Sequence, residues 1–183
     1  MLNAQNTSGA AHQPAVADTF TALDQCHQQV LSTLQVLGDL IERLDRDGVD
    51  AESRRMAGEV VRFFNQSARQ HHADEEKHVF PGLLTSGDAL LVQHVQRLQQ
   101  DHGWLEEDWL TLEPPLNAIA EGYSWYDLDM LRQALPVFAE LYQDHIDLEE
   151  SLIYPEAKAR MQPRAHAGQG RERSVAKRSA SPS

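Results

Sequence analysis

Two short segments of this chain hold an unusual density of metal-ligating side chains. HHADEEKHVFP, residues 71–81, puts three histidines and three acids into eight positions, and HIDLEESLIYP, residues 145–155, repeats its plan. His71 and Glu75 are four residues apart, as are His145 and Glu149. On a helix such a pair points the same way, within about 40° and about 6 Å of rise, so each segment presents one imidazole beside one carboxylate. Imidazole suits iron, zinc, copper and nickel, while a carboxylate adds preference for harder ions and can bridge two of them.

The remaining donors come from an internal repeat. Shifting the chain by 75 residues lays LDQCH (23–27) on LQQDH (98–102), and a shift of 74 lays HHADEEKHVFP on HIDLEESLIYP. His27 then matches His102, His71 matches His145, Glu75 matches Glu149 and Glu76 matches Glu150. Four imidazoles and two carboxylates aimed at one interior need a cation, because an unpaired buried carboxylate costs several kcal/mol. Six donors are too many for one tetrahedral zinc and suit two metals, each with two histidines and both sharing the glutamates. The expected metal ligands are therefore His27, His71, Glu75, His102, His145 and Glu149. The expected cofactor is a carboxylate-bridged pair of iron ions, with manganese or zinc as alternatives.

Four helical runs must position these residues. Asp18 is placed as cap of the first, which ends near Arg46-Asp47-Gly48, and Asp50 as cap of the second, which stops at Pro81-Gly82. Asp88 opens the third and Pro114-Pro115 closes it; Ser124 with Asp127 starts the fourth, which runs to about Ala159 with Pro136 inside. Each run carries an apolar stripe at spacings of three and four, interrupted by the ligands. The first is Phe20, Leu23, His27, Val30, Leu34, Leu37, Ile41, Leu44; the second is Ala57, Val61, Phe64, Ala68, His71, Glu75, His78. Leu91, Val95, Leu98, His102, Leu105, Trp109, Leu112 form the third, and Leu128, Leu131, Leu135, Phe138, Tyr142, His145, Glu149, Leu152 the fourth. The expected fold is all-α, an antiparallel up-down-up-down four-helix bundle with an internal two-fold repeat.

Other residues near the stripes are weighed against ordinary packing. His72 matches Ile146 and is read as a flank residue, with His72–Glu76 the rival to His71–Glu75. His78 is given a structural or supporting role, Glu106 a solvated face, and Tyr142 either core filling or a hydrogen bond to a ligand. Trp104, Trp109 and Trp125 are read as packing, and His12, His94 and His166 carry no functional role. The Phe-Pro and Tyr-Pro endings are read as helix stops rather than chemistry.

Length, charge and composition bound the rest. A chain of 183 residues with 41% hydrophobic residues suits a single core. The net charge is −12, yet the end of the chain sets Arg164, Arg171, Arg173, Lys177 and Arg178 against only Glu172. A body so acidic repels nucleic acid and anionic membrane. Residues 1–17 and 161–183 are expected to be disordered, flanking a domain at 18–160, with the basic tail able to meet a protein partner. The single Cys26 excludes an internal disulfide, and no window approaches the roughly 20 apolar residues of a membrane span, so a cytoplasmic location is expected.

With these residues in view, the chain resembles the hemerythrin-like (HHE cation-binding) proteins over roughly residues 18–160. The resemblance rests on His27, on HxxxE followed by Phe80-Pro81 in the second helix, on His102, and on HxxxE followed by Tyr154-Pro155 in the fourth. It implies a four-helix bundle holding a non-haem di-iron centre for oxygen, nitric oxide or related small ligands. Two departures stand out. Oxygen-carrying members place an extra histidine one turn before the third-helix histidine, where this chain has Leu98, and take their last carboxylate five residues after the last histidine, here Glu150. Iron and small-ligand binding, in sensing, buffering or iron handling, is the expected function. The alternative is a di-iron enzyme acting on peroxide or nitric oxide, or assisting iron-sulfur cluster repair.

Overall fold

A computed structural model describes residues 16–161, and every regular element among them is helical. The order is α1 (Val16–Asp47), α2 (Ala51–Arg62), a widened π-type turn (Phe63–Ala68), α3 (Arg69–His78), α4 (Phe80–Leu84), α5 (Ala89–Glu121), α6 (Leu128–Leu148), a second widened turn (Glu149–Ile153) and α7 (Tyr154–Met161). Through the widened turns, α2 continues into α3 and α6 into α7 as single rods. α1 packs on α2 and α6, and α5 packs on the same two, which closes a ring of four rods. No helix of the described residues is long and apolar enough to cross a membrane. The expected terminal segments fall almost wholly outside the described residues; α1 already begins at Val16, and α7 reaches Met161.

Local chemistry fixes some boundaries and shifts others. Asp50 caps α2 with a reciprocal box: Ser53 N–H donates to Asp50 Oδ1 at 2.8 Å and Asp50 N–H to Ser53 Oγ at 2.7 Å. The link before it turns through Gly48 at φ 71, and Arg43 Nε donates across it to Asp50 Oδ1 at 3.2 Å. Asp18 lies inside the first turn of α1 rather than capping it. The fourth rod starts later than expected, at Leu128, because Asp127 itself is the cap, accepting from Met130 N–H at 2.9 Å.

Prolines prove weaker stops than the sequence suggests. Pro114 and Pro115 lie inside α5, which continues to Glu121. Each proline removes a helical hydrogen bond at a cost of about 3 kcal/mol. Burial of Leu116 and Ile119 offsets this, at about 1.5–3 kcal/mol each, and Pro115 is itself buried. The helix ends instead at Gly122, φ 91, where Gly122 N–H reaches Ile119 O at 3.0 Å and Tyr123 N–H reaches Ala118 O at 2.9 Å. Pro81 sits in the first turn of α4, where its missing N–H is harmless, and Pro155 sits in the first turn of α7, separated from the widened turn Glu149–Ile153 by Tyr154. Pro155 does not end the fourth rod, whereas α3 stops at His78, shortly before Pro81.

The apolar stripes form two clusters rather than one. The larger contains Val30, Leu37, Phe64, Ala68, Leu105, Trp109, Phe138 and Ile146; the smaller contains Phe20, Leu23, Val79, Phe80, Leu98, Ile153 and Tyr154. Every rod crosses from one to the other, and the residues at each crossing are the polar ones. His27 lies between Leu23 and Val30, His71 and Glu75 between Ala68 and Val79, His102 between Leu98 and Leu105, and His145 and Glu149 between Tyr142 and Ile153. Some expected packing residues differ: His78 is exposed, as are Trp104 and Trp125, and on α2 Val60 is buried where Val61 is only partly so.

Candidate metal centre

The polar layer is buried. His27, His71, His102 and His145 are at most 7% exposed, and Glu75 and Glu149 are 0% exposed. The six residues named from the sequence therefore meet in the interior. Glu149 Oε2 lies 3.1 Å from His27 Nε2 and 3.3 Å from His145 Nε2. Glu75 Oε1 lies 3.4 Å from His71 Nε2, and its Oε2 lies 3.5 Å from His102 Nε2. Although the backbone widens at Glu149–Ile153, Glu149 faces inward and Glu150 outward.

Outer contacts orient two of the rings. Glu150 Oε1 is 2.9 Å from His27 Nδ1, and Glu76 Oε1 is 2.9 Å from His102 Nδ1. A carboxylate accepts, so each Nδ1–H donates outward and each Nε2 lone pair faces the interior, the arrangement that prepares an imidazole to ligate a metal. Asp101, 1% exposed, brings Oδ2 only to 3.9 Å from His145 Nδ1, too long for a hydrogen bond, and Arg97 Nε lies 3.6 Å from the same oxygen. The Tyr154 hydroxyl donates to Glu75 and lies 3.2 Å from His27 Nε2.

Among the described residues, every buried side-chain nitrogen or oxygen without a hydrogen-bond partner belongs to this layer. They are on His71, His72, Glu75, Asp101, His102, His145 and Glu149. Burial pushes the His71 imidazole down to about 4 and lowers His72 and His145 as well, so these rings are neutral donors at physiological pH. Burial, reinforced by the Glu75 charge, drives Glu149 well above the usual carboxylate range. For Glu75 burial acts in the same direction but is overcome by the facing His102 ring and then by His71 and His72, which hold it low. Two carboxylates in one buried layer thus compete for protons, a conflict that a cation between them removes.

Donor atoms that can hold an ion fall into overlapping sets. His27, His71, Glu75 and Glu149 offer atoms all within 4.8 Å of one another, and so do Glu75, His102, His145 and Glu149. Both sets use both glutamates. The donor chemistry and the orphaned atoms fit metal ions held here.

A family model described as Hemerythrin HHE cation binding domain matches residues 18–157. The chain belongs to that family. This hemerythrin-like chain is also 28% identical, over 128 residues, to a Haemophilus influenzae protein described as uncharacterized, covering 70% of this chain and 72% of the relative. No solved structure gives a significant match.

Sequence reasoning assigned less to the surroundings of the hemerythrin-like site than they carry. Glu76 and Glu150 were visible as a matched pair, but only their contacts show what they do. Tyr154 was read as part of a stop signal, yet its phenol enters the layer from a helix that continues through Pro155. Asp101 was hidden because its offset mate is Cys26, a residue of different chemistry whose thiol burial pushes up to about 11. His72, a flank residue by the repeat and with Glu76 the rival to His71–Glu75, has an Nε2 that is buried and unpartnered. Tyr142 packs among Phe64, Phe138 and His72, and Glu106 is at the surface, bonded to Arg69.

Proposed function

We propose that this chain holds a carboxylate-bridged pair of iron ions and uses it to bind a small ligand such as oxygen or nitric oxide. One observation carries the reading: each buried carboxylate touches one histidine from each donor set, Glu149 reaching His27 and His145, Glu75 reaching His71 and His102. That is the placement required of a bridge between two ions. His27 and His71 would hold one ion and His102 and His145 the other. Bound iron would supply Lewis acidity and reversible one-electron chemistry toward small ligands.

The surrounding residues then have defined work. Glu150 and Glu76 fix the ring orientation of His27 and His102, and the apolar clusters on both sides exclude water. The Tyr154 hydroxyl keeps a proton at the edge of the layer, since burial raises it far above its ordinary range. A proton held there also suits the alternative reading, an enzyme that reduces peroxide or nitric oxide. An antiparallel up-down-up-down bundle with two-fold related halves is part of the same proposal. Its support is that successive rods meet the two apolar clusters in opposite order: α1 goes from the smaller to the larger, α2–α3 from the larger to the smaller, and α5 and α6–α7 repeat the alternation.

The test is to purify the chain, count its metals and record spectra of the reduced form with oxygen, nitric oxide and peroxide. Two irons per chain with a reversible coloured adduct support binding. Sustained consumption of peroxide or nitric oxide moves the assignment to the enzyme, and a metal-free chain of unchanged stability ends both readings.

A further inference from the structure

The two donor sets are not equivalent, and His72 is the reason. Adjacent residues on a helix point about 100° apart, so on α3 His71 and His72 straddle the polar layer from one corner of the bundle. His71 turns toward α1, its ring meeting that of His27 edge-on at 4.7 Å. His72 turns toward α5 and α6: its ring stacks on His102 with centroids 4.1 Å apart and planes 14° apart, and meets His145 edge-on at 5.6 Å. Its Nε2 is buried without a hydrogen-bond partner, and one ligating nitrogen from each of His72, His102 and His145 lies within 4.8 Å of the others.

The opposite half offers no such group. The residue matching His72 across the repeat is Ile146, a buried member of the larger apolar cluster. The polar group added on that side is instead the Tyr154 hydroxyl beside His27, where the matching residue is Phe80. Leu98, one turn before His102, is wholly buried in the smaller cluster and supplies no donor.

We propose that His72 is a third imidazole ligand of the ion held by His102 and His145, taking from α3 the donor that Leu98 does not supply on α5. This deepens the metal-binding reading and rests on it. The ion at His102, His145 and His72 would then have three nitrogen donors, and the ion at His27 and His71 two, with the Tyr154 hydroxyl beside them. A packing role alone would need a flat ring at position 72 but no nitrogen, so His72→Phe separates the two roles.

The experiment loads the full chain anaerobically with iron-57 and measures iron per chain and Mössbauer spectra, with far-ultraviolet circular dichroism reporting helix content. Wild type should show two irons and two distinct ferrous signals of equal area. His72→Phe, with helix content unchanged, should weaken one iron on the order of ten-fold or more and displace only its signal. His72→Gln keeps a polar group but no imidazole, and it should give the same one-sided change; it carries the test if the Phe variant does not fold. Unchanged iron content and unchanged signals in a folded variant overturn the inference and leave the metal pair standing. A wild-type chain that takes up no metal pair overturns the proposed function and this inference together.

Discussion

Replacing Glu149 by Gln should stabilise the metal-free chain and weaken the metal-loaded one. Glu149 is 0% exposed and neither carboxylate oxygen has a hydrogen-bond partner. Its folded-state pKa is raised well above 4.5, first by burial and then by Glu75, so the folded chain binds a proton that the unfolded chain releases. Metal-free stability therefore falls as pH rises above 4.5 until the raised value is passed. His71 acts oppositely: its folded-state value of about 4 makes stability rise with pH up to 6.5, so the comparison belongs above that range. Glutamine keeps the shape, carries no charge and can donate to Glu75. Relief of one unsatisfied buried group is worth about 1–3 kcal/mol. At roughly 2–4 °C per kcal/mol for a domain of this size, the metal-free variant should melt roughly 2–12 °C above metal-free wild type. With iron at about 100 times its dissociation constant, wild type gains about 2.7 kcal/mol, most of which the variant should lose. Thermal melts of chelator-treated and iron-loaded wild type and variant at about pH 7 give all four values, and repeating them at about pH 8 follows the pH dependence. A metal-free variant that melts below metal-free wild type would falsify the claim that these acids are in conflict.

Three further outcomes follow from contacts at the layer and at helix ends. Glu76→Gln and Glu150→Gln should each weaken iron binding on the order of 10–100-fold in chelator competition, because each removes the carboxylate that orients a ligand ring; parity with wild type would show that the contacts are incidental. Gly122→Ala should lower stability by about 1–2 kcal/mol in urea titration, since Gly122 holds φ 91 and an added Cβ would lie 3.2 Å from Arg54 Nε. Asp50→Asn keeps the cap but loses the charge that Arg43, then the Ser53 amide, hold below the ordinary 3.8. Wild type should thus exceed the variant in urea midpoint at neutral pH, with the gap closing as pH falls below 3.8; a gap that is constant with pH would mean the charge is idle.

What the sequence showed plainly was anything carried by period or pairing. The stripes of α1 and α5 appear in full in the interior, because a regular helix preserves spacing over many turns. His27, His71, Glu75, His102, His145 and Glu149 were legible for the same reason, being the polar breaks in those stripes. Boundaries were less legible, because Pro114 and Pro115 announce a stop that tertiary burial of Leu116 and Ile119 overrides. On α2 the stripe was misread at Val61 for Val60, and it ran on to His78 although that residue is exposed. Asp101 and Tyr154 escaped because they break the repeat, and a repeat reveals only what both halves share.

His72 shows where stripe reasoning itself fails. A stripe assumes that each helix has one inward face, so the neighbour of an inward residue is scored as a flank. A rod at the corner of a four-membered ring has two inward faces, one toward each adjoining rod, and α3 uses both. His71 meets α1, and His72 meets α5 and α6. The two halves of the layer share the two buried carboxylates and the outer Glu–His contacts but differ in what else is added: an imidazole on one side, a phenol on the other. The sequence repeat pairs the six buried donors, and the residues that depart from it, His72 against Ile146 and Tyr154 against Phe80, give the two donor sets different surroundings.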